Sequence, residues 1–277
     1  MDPAFESLYH RLEQRHWWFR GRRELVRALV SRLSPDRSAD ILDIGCASGI
    51  LLDELTADGF AHPAGLDISE TAIRLCHDRG HVTAVCGDAT APPLPPASVD
   101  ILIASDVLEH LEQDQFALDN WLQIVRPGGF LVVLVPAFQW LWSQHDEINH
   151  HFRRYTRRQL VTALTRSGWS VQRSGFWNTV LFPAVAAVRL AAAMIGRPRR
   201  PPDNVVTPPA AESRQLRETP ALINALCLAL LRLENNWLVA GLPLPIGVST
   251  FAIASRPLSA SPSTLVADAS LAPATAM

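Results

Sequence analysis

The sequence has no G-x-G-x-x-G run after a strand, no C-x-x-C pair and no internal repeat. The first absence disfavours a nicotinamide oxidoreductase, whose three glycines let a pyrophosphate approach the backbone and a helix N-terminus. The second leaves Cys46, Cys76, Cys86 and Cys227 as buried free thiols in a reducing compartment, not a disulfide frame or a zinc site. A large charge of one sign is also missing. The formal net charge of -2 argues against bulk electrostatic binding to nucleic acid. The opening residues Met1-Asp2-Pro3-Ala4-Phe5-Glu6 show neither a basic n-region nor an apolar h-region, so no signal peptide is expected. Neither of two apolar stretches is expected to be a membrane span, which needs about 20 apolar residues with few charges. Pro183 and Arg189 interrupt the first, and Arg232 and Glu234 the second.

What is present suits a globular α/β protein. The 277 residues are 48% hydrophobic, enough for one domain with additions or two small ones. Prolines gather at Pro92–Pro96, at Pro198–Pro209 and near the C-terminus, marking a loop, a linker and a tail.

The organising stretch is Asp40-Ile41-Leu42-Asp43-Ile44-Gly45-Cys46-Ala47-Ser48-Gly49. A short apolar run gives way to a turn of small residues, and helical spacing follows from Ile50. Strand, glycine turn and helix bring backbone N–H groups and a helix N-terminus against an anionic ligand group. Ala47 fits such a turn if its φ is negative. Pro63–Ser69 reads as a second strand ending in Asp67, with Ser69 as the N-cap of the next helix. In open α/β sheets ligands bind beyond the carboxyl ends of the strands, so the Asp67 carboxylate suits the two hydroxyls of a ribose. A third strand ends at Gly87-Asp88-Ala89, where a turn-forming Asp88 is the local alternative. A fourth, nearly all apolar as a central parallel strand should be, ends at Ser105, Asp106, Glu109 and His110. Leu122 to Gly129 then leads into the apolar fifth strand, Phe130–Pro136.

Four motifs in this order resemble the class I S-adenosylmethionine-dependent methyltransferases, of the type 11 and 12 groups. The turn from Asp43 to Gly49 resembles their D-x-G-x-G-x-G, with Ala47 at the middle glycine. Val107-Leu108-Glu109-His110 resembles the ubiquinone-type O-methyltransferases and their relatives, and Ile124-Val125-Arg126-Pro127-Gly128-Gly129 is a feature of the superfamily. His16-Trp17-Trp18-Phe19 followed by Arg22-Arg23 looks like the N-terminal signature of a bacterial subgroup often found among genes for polysaccharide and lipid-linked sugar assembly. The resemblance implies a Rossmann-like seven-stranded doubly wound sheet, with an antiparallel seventh strand (Val248–Ala254) between strands five and six. It implies S-adenosylmethionine as cofactor. Gly45, Cys46, Ala47 and Gly49 would form its cradle, and Asp43 would contact the methionyl end or order the turn. Asp67 would hold the ribose, Ile68 the adenine face, Asp88 with Ala89 the adenine amino group, and Ser105 and Asp106 would line the cleft.

The N-terminal arm, residues 1–38, is read as two helices separated at Gly21. Its aromatics either clamp the arm to the domain or form a lid, with Trp18 and Arg22 or Arg23 meeting an anionic part of the acceptor. The loop after strand five, Phe138 to Arg158, holds three histidines, two carboxylates and four arginines. Three readings compete there. His145 or His150 serves as general base, with Arg153, Arg154 and Tyr155 holding an acceptor. Or His145, Asp146 and His150 bind a metal, as occurs in some O-methyltransferases; no metal is the preferred expectation. Or the charges pair at the surface. His110, beside the methyl donor, is the first candidate base, with helix packing as its alternative.

The core is expected at 39–176 and 246–256, an apolar helical insertion at 177–245 and a disordered tail at 257–277. The insertion suits a lid, a dimer surface or an interfacial contact with anionic lipid next to Arg197, Arg199 and Arg200. The expected activity is methyl transfer to a hydroxyl or amine of a small-molecule acceptor, lipid-linked or glycosylated in one version. It would act in the cytoplasm or at the inner membrane face, with no nucleic-acid partner. A non-catalytic methyltransferase-like binding protein is the alternative.

Overall fold

The computed structural model describes residues 12–194 and 219–258. The start of the N-terminal arm, the Pro198–Pro209 linker and the tail from 259 lie outside the described residues. Seven strands form one sheet: β1 Ile41–Ile44, β2 Ala64–Asp67, β3 Ala84–Cys86, β4 Val99–Ser105, β5 Val125–Pro136, β6 Ser170–Trp177 and β7 Ser249–Ser255. Their order is β3-β2-β1-β4-β5-β7-β6. Only β7 is antiparallel, with Val133 opposite Ala252 on one side and Ser174 opposite Ala252 on the other.

The central strands read as continuous apolar runs because both faces are covered. Leu102 and Ala104 of β4 and Leu131, Val133 and Val135 of β5 point to one core. Ile101 and Ile103, with Val132 and Leu134, point to the other. This is the two-residue period of a strand divided between two layers. Helices α4 (Asp114–Ile124) and α6 (Arg157–Arg166) cover the first face through Leu118, Trp121, Leu160 and Leu164. Helices α1 (Trp17–Leu33), α2 (Ile50–Ala57) and α8 (Ala221–Val239) cover the second through Leu25, Leu29, Leu55, Leu231 and Leu238. The described residues also include helices α3 (Glu70–Asp78), α5 (Gln144–Ile148) and α7 (Phe182–Met194).

Two expectations are corrected here. Gly21 does not separate two helices: α1 runs through it unbroken. A Cβ at Gly21 would lie 2.5 Å from Leu231 Cδ1, so the glycine lets α8 approach α1. Asn235 of α8 donates to the Gly21 carbonyl at 2.8 Å, and the Asn224 side chain accepts from the Trp17 N–H at 2.8 Å. The cysteines are all free, but only Cys46 and Cys76 are buried; Cys86 is exposed and Cys227 half-buried. Ser69 and Thr156 cap α3 and α6 as their sequences indicate, Thr156 within a capping box.

Candidate active site

The turn after β1 is pinned by Gly45 and Cys46 N–H groups donating to the Leu66 carbonyl of β2 at 2.7 and 3.1 Å. Gly45, Ala47 and Gly49 all have left-handed backbones, with φ of 72°, 47° and 78°. The condition under which alanine fits such a turn easily, a negative φ, is therefore not met. An alanine there costs about 1 kcal/mol or more, offset by local bonds: Asp67 Oδ2 accepts from the Ala47 N–H at 2.9 Å, and the Cys76 thiol donates to its carbonyl at 3.3 Å. A Cβ at Gly45 would come within 2.5 Å of Val107, so only glycine lets the turn lie this close to the end of β4. Gly49 is the N-cap of α2 and supplies no side-chain cap, which leaves first-turn N–H groups of α2 as donors.

Asp67 also accepts from the Ser69 N–H through Oδ1 at 2.9 Å, so its two oxygens link the β1–α2 turn to the β2–α3 turn. Beside it, Ile68 presents a side chain 78% exposed. Asp43 at the end of β1 is buried, and burial pushes its carboxyl up to about 8, with Arg22 opposing and Glu13 and Asp67 reinforcing the rise. Glu13, unremarked in the sequence, reaches in from the arm and accepts from Ser48 Oγ at 2.7 Å. Arg22 pairs with Asp106, which sits at the end of β4 with φ 57°. Its guanidinium lies over Trp18, 4.6 Å from the ring centroid. Arg23 instead turns away from the cleft to the Glu13 carbonyl and Glu54. Ser105 Oγ, at the same strand end, is buried with no hydrogen-bond partner. Asp88 is exposed and accepts from the Thr90 N–H at 2.8 Å, as a turn-forming aspartate does, while the Ala89 carbonyl accepts from Trp121.

The opposite wall is built by the Leu108–His110 turn after β4 and by the α5 loop. Here the structure rearranges the expected set. Asp146 is buried and takes Arg154 at 2.7 and 3.1 Å and His151 Nδ1 at 2.9 Å. It is thus not shared with His145 and His150. Arg154 is itself buried and saturated by Asp146 and the Ala137 carbonyl, so it holds no acceptor. Tyr155 is a core residue whose hydroxyl donates to Asp114 at 2.7 Å; burial and that bond push its pKa up. Arg153 pairs with Asp114 at 2.9 Å and remains partly exposed. His150 takes a left-handed turn at φ 55°, and the exposed His145 stacks edge-on to His151 with centroids 6.2 Å apart.

His151, which the sequence did not single out, is the histidine that joins His110, with ring centroids 4.5 Å apart. Nothing in loop spacing distinguishes it from His150; the Asp146 bond does. His110 opens to the cleft, yet the surrounding protein desolvates its ring, and with His151 beside it the pKa falls to about 4. The protein around the ring of His145 likewise desolvates it, although the residue still reaches solvent, and its pKa falls to about 4. Both are neutral at pH 7, as a proton acceptor must be. Glu109 is fully buried and neither carboxylate oxygen has a partner. Burial, then the charge of Asp106, raises its pKa well above the usual carboxylate value.

Residues 42–133 match the Methyltransferase domain family model. A probable S-adenosylmethionine-dependent methyltransferase of Mycolicibacterium smegmatis is 30% identical over 167 residues, covering 58% of this chain and 62% of that protein. The chain spans 51–62% of the length of the first curated relatives it matches. Among solved structures, the complex of the Haloferax volcanii Trm112 methyltransferase activator with a putative methyltransferase gives a TM-score of 0.56 at 16% identity, covering 92% of this chain and 95% of that one. The [4+2]-cyclase SpnF gives 0.51 at 18% identity, covering 84% and 82%. These likenesses confirm the sheet; the cyclase shows that the fold does not dictate the reaction. Residues 42–133 are thus similar to the methyltransferase domain family, and they sit in a sheet whose strand order is shared with solved methyltransferase structures.

Proposed function

We propose that this protein transfers a methyl group from S-adenosylmethionine to a hydroxyl, or an amine, of a small-molecule acceptor. The observation that carries the reading is Asp67. Its carboxylate sits at the carboxyl end of β2, locked to the backbone of the glycine turn by the Ala47 bond, where a nucleoside ribose belongs. The residues present fit the cofactor. The exposed Ile68 offers an apolar face to adenine, and Asp88 or the Ala89 segment lies at its far edge. Gly45 and the uncapped start of α2 admit the methionyl part closely. Asp43 and Glu13 supply negative charge for an α-ammonium group, and Arg22, held by Trp18, supplies the cation for its carboxylate. Cys46 and Ser105 line the same turn and strand end.

The sulfonium, when bound, supplies an activated methyl group for in-line displacement. The chain's part is positioning and proton management. The Arg22–Asp106 pair and Trp18 bring the arm over the cleft and exclude water. His110, neutral at pH 7, accepts the acceptor's proton, with His145 and His150 farther out along the same wall. Arg153, partly exposed at the rim, is the cation available to an anionic acceptor.

The acceptor is lipid-linked in the finer form of this proposal, and the protein meets the cytoplasmic face of a membrane. What supports it is α8, the one described helix long and apolar enough to cross a bilayer, with 28% of that window buried. Its outer face exposes Leu222, Leu226, Leu233 and Trp237. Such a helix lies in an interface when one face is packed and the other apolar.

Calorimetric titration with S-adenosylhomocysteine tests the core of the reading. Micromolar binding, weakened at least 100-fold by Asp67→Ala, is expected. A wild-type protein that binds no S-adenosylhomocysteine refutes methyl transfer. Flotation with anionic vesicles tests the lipid face, and a protein left wholly in the soluble fraction refutes it.

A further inference from the structure

The unpartnered Glu109 carboxylate belongs to a cluster. One ligating atom from each of Glu109, His110 and His151 lies within 4.8 Å of the others. A fully buried carboxylate with no hydrogen bond is costly unless a positive charge reaches it. His151 is oriented toward the same point. Its Nδ1 is bonded to Asp146, which is fixed in turn by the two-toothed grip of Arg154. A proton on Nδ1 leaves the Nε2 lone pair for a ligand. A carboxylate behind an imidazole is how metal-ligating histidines are commonly aimed and made more basic. The backbone secures this: the Phe152 N–H donates to the Glu109 carbonyl at 2.8 Å, and the His151 N–H to the Asp146 carbonyl at 2.9 Å. His110 stands edge-on to His151 at 89°, with ring centroids 4.5 Å apart.

We propose that Glu109, His110 and His151 bind one divalent first-row transition cation, with open coordination positions toward the acceptor. Two imidazoles and one carboxylate favour such an ion over magnesium or calcium, which take mainly oxygen ligands. Cation binding rests on this geometry alone. Its role rests on the methyl-transfer reading: an acceptor hydroxyl on the ion loses its proton to solvent more readily. The new O–CH3 bond then forms as the S–CH3 bond breaks, leaving S-adenosylhomocysteine, with no change of oxidation state. In this arrangement His110 is a ligand and not the base. The ligand set replaces the His145, Asp146 and His150 set suggested by spacing.

The test uses the full chain, freed of metal by chelator and titrated calorimetrically with Zn2+. A Co2+ titration read by visible absorption reports imidazole ligation. One Zn2+ site is expected. Glu109→Gln and His151→Gln should each weaken it at least 100-fold, and Asp146→Asn, acting through His151, 10–100-fold. His110→Ala, at an open position, keeps the test alive should the buried variants fail to fold. No Zn2+ site in the wild type, a site untouched by His110→Ala, or Mg2+ binding as tightly as Zn2+ overturns the proposal. S-adenosylhomocysteine titrated into the same metal-free protein separates the two readings. Cofactor binding without a Zn2+ site sinks the metal alone; a Zn2+ site without cofactor binding sinks methyl transfer and leaves the metal.

Discussion

Binding of the cofactor should release a proton, and Asp43 is the reason. In the free protein its carboxyl titrates at about 8 because burial outweighs the help of Arg22. At pH 7 that makes it about nine-tenths protonated. An α-ammonium arriving within a few ångströms lowers a carboxyl pKa by about 1–3 units. The bound-state value then falls between roughly 5 and 7, and the proton released at pH 7 between about 0.4 and 0.9. The sign follows from linkage: a ligand that favours the ionised form binds more tightly as pH rises, until the free protein has itself ionised near pH 8. The same raised pKa makes free Asp43 destabilising as pH climbs, with stability present at low pH and lost as pH passes upward through about 8. The assay is calorimetry of S-adenosylhomocysteine binding at pH 7 in phosphate, HEPES and Tris, whose ionisation enthalpies differ. The slope of observed enthalpy against buffer enthalpy counts the protons. Asp43→Asn should abolish the Asp43 part of that slope. A slope the same in wild type and variant refutes the argument.

Ala47→Gly should stabilise the protein by about 1 kcal/mol, because glycine carries the φ of 47° without strain; a thermal melt should rise by about 2–3 °C. Gly21→Val should destabilise by about 2 kcal/mol in urea denaturation, since its Cβ would meet Leu231 at 2.5 Å. Arg154→Met leaves the buried Asp146 with only the hydrogen bonds from His151 and Ser143 and should cost about 3 kcal/mol. Burial alone would raise the Asp146 carboxyl, but His151 and Arg154 outweigh it and hold it well below the usual value. The pair therefore stabilises above about pH 4 and loses that contribution as pH falls; the acid-unfolding midpoint of Arg154→Met should move upward.

The sheet was readable because its signals are local. An apolar run before a glycine turn, an acidic strand end and a capping serine each act over a few residues, and β1 to β4 sit where those signals put them, while β5 starts at Val125 and not at the expected Phe130. The place of Asp67 at the end of β2 was legible for the same reason. The wall across the cleft could not, because it is set by tertiary partners. Asp146 chose His151 over its neighbours, and Tyr155 turned inward to Asp114. An irregular loop has no period from which to deduce such choices. Gly21 shows the same limit: the residue that looked like a helix break answers to a helix more than 200 positions away.

The place of β7 has a consequence for synthesis. It is the last strand among the described residues, yet it fills the gap between β5 and β6. Until residues 249–255 have left the ribosome, β5 offers an unpaired edge along one of the most apolar segments of the chain, with Leu131 to Val135 all fully buried in the finished sheet. Such an edge is a template for strands of other chains. A nascent chain stalled before Ser249 should therefore depend on chaperone cover that the finished protein does not need.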